Sequence, residues 1–485
     1  MNGNSKDGNG EKRIVILGAG PTGLGAAYRL QELGHRNWNI YEATDTLGGL
    51  ARSFTDEQGF TYDIGGHVMF SHYEYFDKLV DKLLGHDYTQ IQREAWVWMM
   101  ERWVPYPFQN NIRHLPNDVL LECLMGLINA QKEGRDPKAA RNFKEFNLAQ
   151  FGDGICKYFM LPYNFKVWAH PADMMNKEWI GERVALVNIE RILCNVIEQK
   201  DDVNWGPNNT FKFPLYGGTG GLYARYEPYI KDNLYFNKRA TGIDPTAKTV
   251  TFEDGDTTHY DVLLNTMPLT ELLPMMEGCP ESVRAASSDL LYSSGYSIGV
   301  GIDRPTATSK CWIYYPEDDS PFYRVTYLSH YSPHIAPPDT TLFLTETSTS
   351  KYKPVNEDTI LEETIQGLIN VGLMKEEERD IILTTKVIPI KYWYPTPSVY
   401  RDRGLGVIQP YLMENDIYSR GRFGAWCYEI GNMDHSTMMG VEVINKVLLG
   451  EPEQTWKLHD LPDHLEQMPA ASAPPEAVGV SADAQ

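Results

Sequence analysis

Two stretches hold the residue types from which binding chemistry is most directly built. SRGRFGAWCYEIGNMDHS, residues 419–436, places Arg420 and Arg422 beside Trp426 and Tyr428, just before a Gly431-Asn432 turn. Guanidinium forks make bidentate, charge-assisted bonds to phosphates, so a local anion clamp is the chemistry this pattern suits. Arg420 has no partner of its own in the pattern and reads as a solvated edge position. In RIVILGAGPTG, Gly18, Gly20 and Gly23 form a GxGxxG. Backbone N–H groups at such a turn, with the dipole of the helix that follows, hold a pyrophosphate. Glu42, closing WNIYEA, stands where a carboxylate takes hydrogen bonds from an adenosine ribose.

Those residues need a frame. RIVIL reads as a buried strand, and PTGLGAAYRLQELG as a helix with Leu24, Ala27, Leu30 and Leu33 on one face, Pro21 in its first turn and Gly34 at its end. DTLGGLARS, residues 45–53, adds a second Gly pair and Arg52 soon after the ribose acid, a pattern of flavoproteins that points to FAD rather than NAD. The segment from Asn237 to Pro268 reads as a β-meander returning through DVLLNT to the parallel sheet. Residues 113–204 carry helical periodicity in 116–134, 142–164 and 182–200. From about 291 to 400 the pattern turns to short strands with one helix near 358–372, an antiparallel unit. The closing helix, STMMGVEVINKVLLG, is expected to be capped by Asp434 or Ser436.

Composition bounds the rest. The 485 residues are 42% hydrophobic, enough for two to four packed units. A formal net charge of −21 argues against sequence-independent binding of nucleic acid, which needs phosphate neutralisation over a surface. Any anionic ligand must therefore meet a local cluster of cations. The six cysteines are widely spaced with no CxxC pair, so neither a metal site nor a disulfide framework is expected. No uncharged run is long enough to span a bilayer and no signal peptide is evident; a cytoplasmic protein without membrane partners is the expectation. The Ala/Pro-rich residues 461–485 read as a disordered tail.

From about residue 12 to 450 the chain resembles the UDP-galactopyranose mutases, the eukaryotic branch above all, through GAGPTGLGAA, DIGGHVMFSH, WVPYPFQNN, LPYNFKVWAH, WIGERVA, WGPNNTFKFPLYGGTGG, FYRVT, WYPTP and GRFGAWCYEIGNMDHS. The resemblance implies an α/β fold: a Rossmann-like FAD-binding domain (1–112, 209–290 and 405–460), a helical domain with mobile flaps (113–208) and an antiparallel-sheet substrate domain (291–404). It implies an isomerase interconverting UDP-galactopyranose and UDP-galactofuranose, in which N5 of reduced FAD attacks the anomeric carbon with no net redox change and NADPH is the reductant. UDP must stay in place while unbonded to the sugar, so strong diphosphate contacts are needed.

By the same resemblance Arg324 and Arg422 grip the diphosphate, Tyr314, Tyr394 and Tyr428 add hydroxyls, and Arg183 comes from a flap. Tyr106, Phe108, Gln109, Asn164 and Trp168 form the uracil side, with Asn208 on a second flap and Arg93, Tyr331 and Asn432 near the galactose and flavin. His67, Arg324 and Arg422 are the catalytic set, His67 lying over the flavin beside Gly65 and Gly66. The cofactor set is completed by Gly18, Gly20, Thr22, Gly23, Glu42, Gly49, Arg52, Gly431, Asn432, Met433 and Ser436. Met433 departs from a polar residue found there in some relatives, which is harmless if its contact runs through the backbone N–H. No catalytic carboxylate pair is apparent. A flavin amine oxidase or desaturase would share the scaffold, and a flavin-free GDP-dissociation-inhibitor-like binder would resemble it; the arginine and tyrosine set argues against the former, the intact GGLARS and GNMDH stretches against the latter.

Overall fold

The computed structural model describes residues 10–203, 206 and 209–458. The expected tail at 461–485 and the candidate Asn208 lie outside the described residues. Ile14–Leu17 runs into helix Pro21–Glu32 as the apolar pattern predicts, and this strand is the centre of a five-stranded parallel sheet. Val262–Asn265 and Trp38–Tyr41 flank it; Ile417–Ser419 and Leu234–Tyr235 form the edges. Its central strands are wholly buried, which is why they read as continuous apolar runs.

Helix Met433–Leu449 packs along helix Pro21–Glu32 so closely that a Cβ on Gly440 would lie 1.9 Å from the Thr22 carbonyl oxygen. Only glycine permits that approach. This last helix starts at Met433 with Asn432 at the cap position, two residues before the expected Asp434 and four before Ser436. Asp434 is drawn elsewhere: its carboxylate accepts from the backbone N–H of His72 (3.1 Å) and lies 2.8 Å from His72 Nδ1.

The second sheet has seven strands, in the order Ile382–Pro395, Tyr292–Ile302, Thr341–Thr349, Arg324–Tyr327, Trp312–Tyr314, Ala95–Met99, Arg102–Pro105. Residues 95–105 fall inside the 1–112 segment that the sequence groups with the nucleotide-binding unit, yet Trp96 pairs with Ile313 and carries the hairpin into this sheet. Tyr292–Ile302 is a two-faced strand. Tyr296, Ile298, Val300 and Ile302 enter one core, while Ser293, Gly295, Ser297, Gly299 and Gly301 make the opposite face small. A Cβ on Gly299 would sit 2.2 Å from the Tyr62 ring, so Thr61–Asp63 is seated directly on that face.

The helical region comprises Asn117–Lys132, Phe143–Ile155, a π-turn at Cys156–Met160, Leu161–Trp168 and Ile189–Glu198. The stretch 182–200 is helical only from Ile189, because Asn188 caps there, its side chain accepting from the Arg191 N–H at 2.9 Å. Among the described residues no helix is long and apolar enough to cross a membrane.

Candidate active site

A cavity of about 1300 Å³ opens between the carboxyl ends of the parallel strands and the antiparallel sheet. Two helix N-termini face it. Pro21–Glu32 begins at Gly20 and Met433–Leu449 at Asn432, and neither has a side-chain cap, so their first amides and positive dipole ends are left for a ligand. Met433 is 8% exposed and packs into the apolar core, which leaves its backbone as the polar group at that end.

Of the residues assigned to a cofactor, Gly18, Gly20, Thr22, Glu42, Gly49 and Arg52 line one end of the cavity. Gly65, Gly66 and His67 also line it, as do Gly431, Asn432, Met433 and Ser436. Gly23 lies beneath the turn, where a Cβ would meet the Gly18 carbonyl at 1.9 Å. Glu42 is buried and takes the Ala19 N–H at 2.8 Å and the Thr44 N–H at 2.9 Å, which fixes its carboxylate beside the turn. Arg52 has a buried Nε without a hydrogen-bond partner, and burial lowers its pKa. A half-buried guanidinium with a buried, orphaned Nε, lining the same cavity as two uncapped helix ends, fits a dinucleotide diphosphate.

The substrate-side set gathers at the other end. Arg93, Tyr106, Arg183, Tyr314, Arg324, Tyr394, Arg422 and Tyr428 all line the cavity. The Arg422 guanidinium lies 5.1 Å from the Tyr394 ring centre and 5.5 Å from that of Tyr428, while its Nη1 donates to the Gly431 carbonyl at 3.1 Å. Arg183 covers Tyr428 at 5.4 Å and donates to the Glu429 carbonyl. Arg93 lies 5.6 Å from the Tyr106 ring, which in turn packs 5.0 Å from Tyr314. Burial pushes the Tyr394 hydroxyl up to about 12, aided by Glu346, so it remains a donor at neutral pH.

The other assigned residues stand outside this lining. Phe108 is fully buried against Phe159 at 4.4 Å. Gln109 donates to the Ala185 carbonyl (2.6 Å) and Asn164 to that of Met160 (2.7 Å). Trp168 backs the clamp, 4.7 Å from Tyr428 and 5.4 Å from Tyr394. Tyr331 lies in the core against Phe211 and Phe213. Arg420, read from the sequence as a solvated edge, has no exposed surface: Glu453 binds its Nε and Nη2, and Trp456 lies 3.5 Å over the guanidinium. The correction has a plain cause, since a buried guanidinium needs a carboxylate and here finds one beyond the final helix.

His67 is pressed by burial, then by Arg422 and to a lesser degree Arg324, down to about 4, with Glu346 opposing. The imidazole is therefore neutral at pH 7, and its buried Nδ1 has no hydrogen-bond partner. Gly65, at φ +78°, turns the chain ahead of it. Ser297 Oγ donates to the Asp63 carbonyl and accepts the Gly65 N–H, tying this loop to the small face of Tyr292–Ile302.

Three further residues make contacts that the sequence does not assign to them. Glu346, 1% exposed, accepts from Arg324 Nε and Nη2 (each 2.7 Å), from the Gly66 N–H (2.9 Å) and from the Tyr323 hydroxyl (2.6 Å). Asp63 accepts from Ser53 and from Thr219 Oγ1 at 2.6 Å, and burial lifts it to about 6. Asp434 sits between His72 and His435 and is held near 2 despite burial, chiefly by His435 and then His72.

The sequence model for the flavin-containing amine oxidoreductases matches residues 21–380. A crystal structure of a reduced UDP-galactopyranose mutase superposes with a TM-score of 0.89 at 47% identity, covering 92% of this chain and 95% of that one. A putrescine oxidase structure shares the fold alone, with a TM-score of 0.61 at 13% identity over 90% of this chain and 99% of that one. Among curated proteins, the 15-cis-phytoene desaturases of Glycine max and Arabidopsis thaliana are 36% and 34% identical over 87 and 88 residues. Those matches take in 18% of this chain and 15% of each desaturase.

Proposed function

We propose, from the premise that this chain belongs to the flavin-containing amine oxidoreductases and within them to the UDP-galactopyranose mutase family, that it interconverts UDP-galactopyranose and UDP-galactofuranose. The observation that carries the reading is one cavity with a dinucleotide cradle at one end and an arginine–tyrosine clamp at the other. Arg93, Arg183, Arg324 and Arg422 suit a diphosphate and would repel an amine, which sets aside an amine oxidase reading.

FAD would be held by the Gly18–Gly20 turn, Glu42, Arg52 and the two helix ends, and when reduced and bound it supplies an electron-rich nitrogen toward the anomeric carbon. The protein's own part is positioning. Arg422, flanked by Tyr394 and Tyr428, holds the diphosphate through the interval in which UDP is not bonded to the sugar. Tyr314 and Tyr394, kept protonated by burial, donate to phosphate oxygens. His67, neutral and beside Gly66, offers ring nitrogens for hydrogen bonding without adding charge to the site. NADPH is our choice of reductant, by family resemblance.

The test is direct. Protein reduced with dithionite converts UDP-galactofuranose to UDP-galactopyranose, followed by chromatography, and oxidised protein does not. Turnover by the oxidised form, or a preparation that takes up no flavin, overturns the proposal.

A further inference from the structure

We infer that Glu346 is a positioning residue that sets Arg324 and the Gly65–His67 loop as one unit, an inference that rests on the mutase reading above. Arg324 and Glu346 are direct partners across the antiparallel pair of strands, so the sheet register itself creates the fork. The same carboxylate takes the Gly66 N–H, one residue before His67. Tyr323 completes its shell and passes the network on to Trp393 Nε1 (3.0 Å) and the Tyr394 hydroxyl (3.2 Å). A cation of the clamp, an amide of the loop and the Tyr323 hydroxyl thus share one buried anion, and Tyr323 links it to the clamp's Tyr394.

The arrangement sets two effects against each other. The fork orients Arg324, but it also occupies Nε and Nη2 and offsets its charge, so an incoming diphosphate meets a weaker cation than the residue count suggests. Glu346 therefore favours turnover through geometry while opposing nucleotide affinity. A part that merely supports the fold would raise both or neither.

Glu346→Gln separates them. We expect kcat to fall at least about tenfold, the scale of a lost charge-assisted contact, while the Kd for UDP, titrated on flavin-loaded protein, stays level or tightens. The visible flavin band should also shift as the Gly66 amide exchanges an anionic acceptor for a neutral one, a readout that survives even if the wild type proves not to interconvert the sugars. UDP affinity weakening in step with kcat, turnover within about threefold of wild type, or an unmoved flavin band overturns the inference. Should the Gln variant not fold, Tyr323→Phe removes one donor and leaves the fork: kcat should drop at unchanged UDP Kd, and unchanged kcat counts against it.

Discussion

At the scale of single residues, the site is organised by where charge is allowed to remain. Arg422 keeps its guanidinium between two aromatic faces with one backbone acceptor, and so retains donors for a ligand. Arg422→Ala should weaken UDP binding by about 3 kcal/mol, on the order of a hundredfold in Kd, read by calorimetric titration. Arg324, by contrast, is half spent on Glu346. The sequence displays these two arginines equally well and does not distinguish them, because a lone Glu in TTLFLTETSTS reads as one polar position of an ordinary strand. Its meaning depends on strand register, which aligns residues 324 and 346, and on a loop 280 positions away. Arg420 is the opposite case: a strong residue in a telling motif, misread because Glu453 and Trp456 lie beyond the helix in a stretch without periodicity.

At the scale of elements, the dinucleotide cradle was legible because its signals are local. GxGxxG, the helix behind it and the acid at the end of the second strand all lie within 30 residues, and each takes the expected place. What locality hides is how the first and last helices come together. Gly440 reads as a weak spot in a helical pattern, yet it is the point where the Thr22 backbone makes contact. Gly440→Ala should push apart two helices whose N-termini both face the cavity, and the expected outcome is a loss of bound flavin, measured as visible absorbance per protein at matched purification. YSSGYSIGVGI reads as a strand, but that its Ser and Gly at every second position make a small face for Tyr62 emerges only from the structure.

Over the whole molecule, the negative surface and the cationic cavity are separate facts, and titration links them to stability. His67 and His170, both lowered to about 4 with burial as the largest cause, favour the folded state above pH 6.5 and lose that contribution as pH falls toward 4. Asp63, raised to about 6 by burial, runs the other way: its contribution is present below about pH 4 and disappears as pH rises through 6. Two groups against one should make stability rise from pH 4 to 6.5. Asp63→Asn removes the opposing group and should steepen that rise by up to about 1.4 kcal/mol per pH unit, checked by urea midpoints at pH 4, 5 and 6; an equal or shallower slope would show that Asp63 does not titrate in that range.

The parallel sheet is finished at one edge by Ile417–Ser419, and its nucleotide cradle is closed by a helix that begins at Met433. During synthesis the glycine turn at residue 18 leaves the ribosome more than four hundred residues before the surface that completes it. A nascent chain that has not yet released that helix lacks one wall of the cradle, so the complete flavin site waits on the last helix rather than on the first strand and turn.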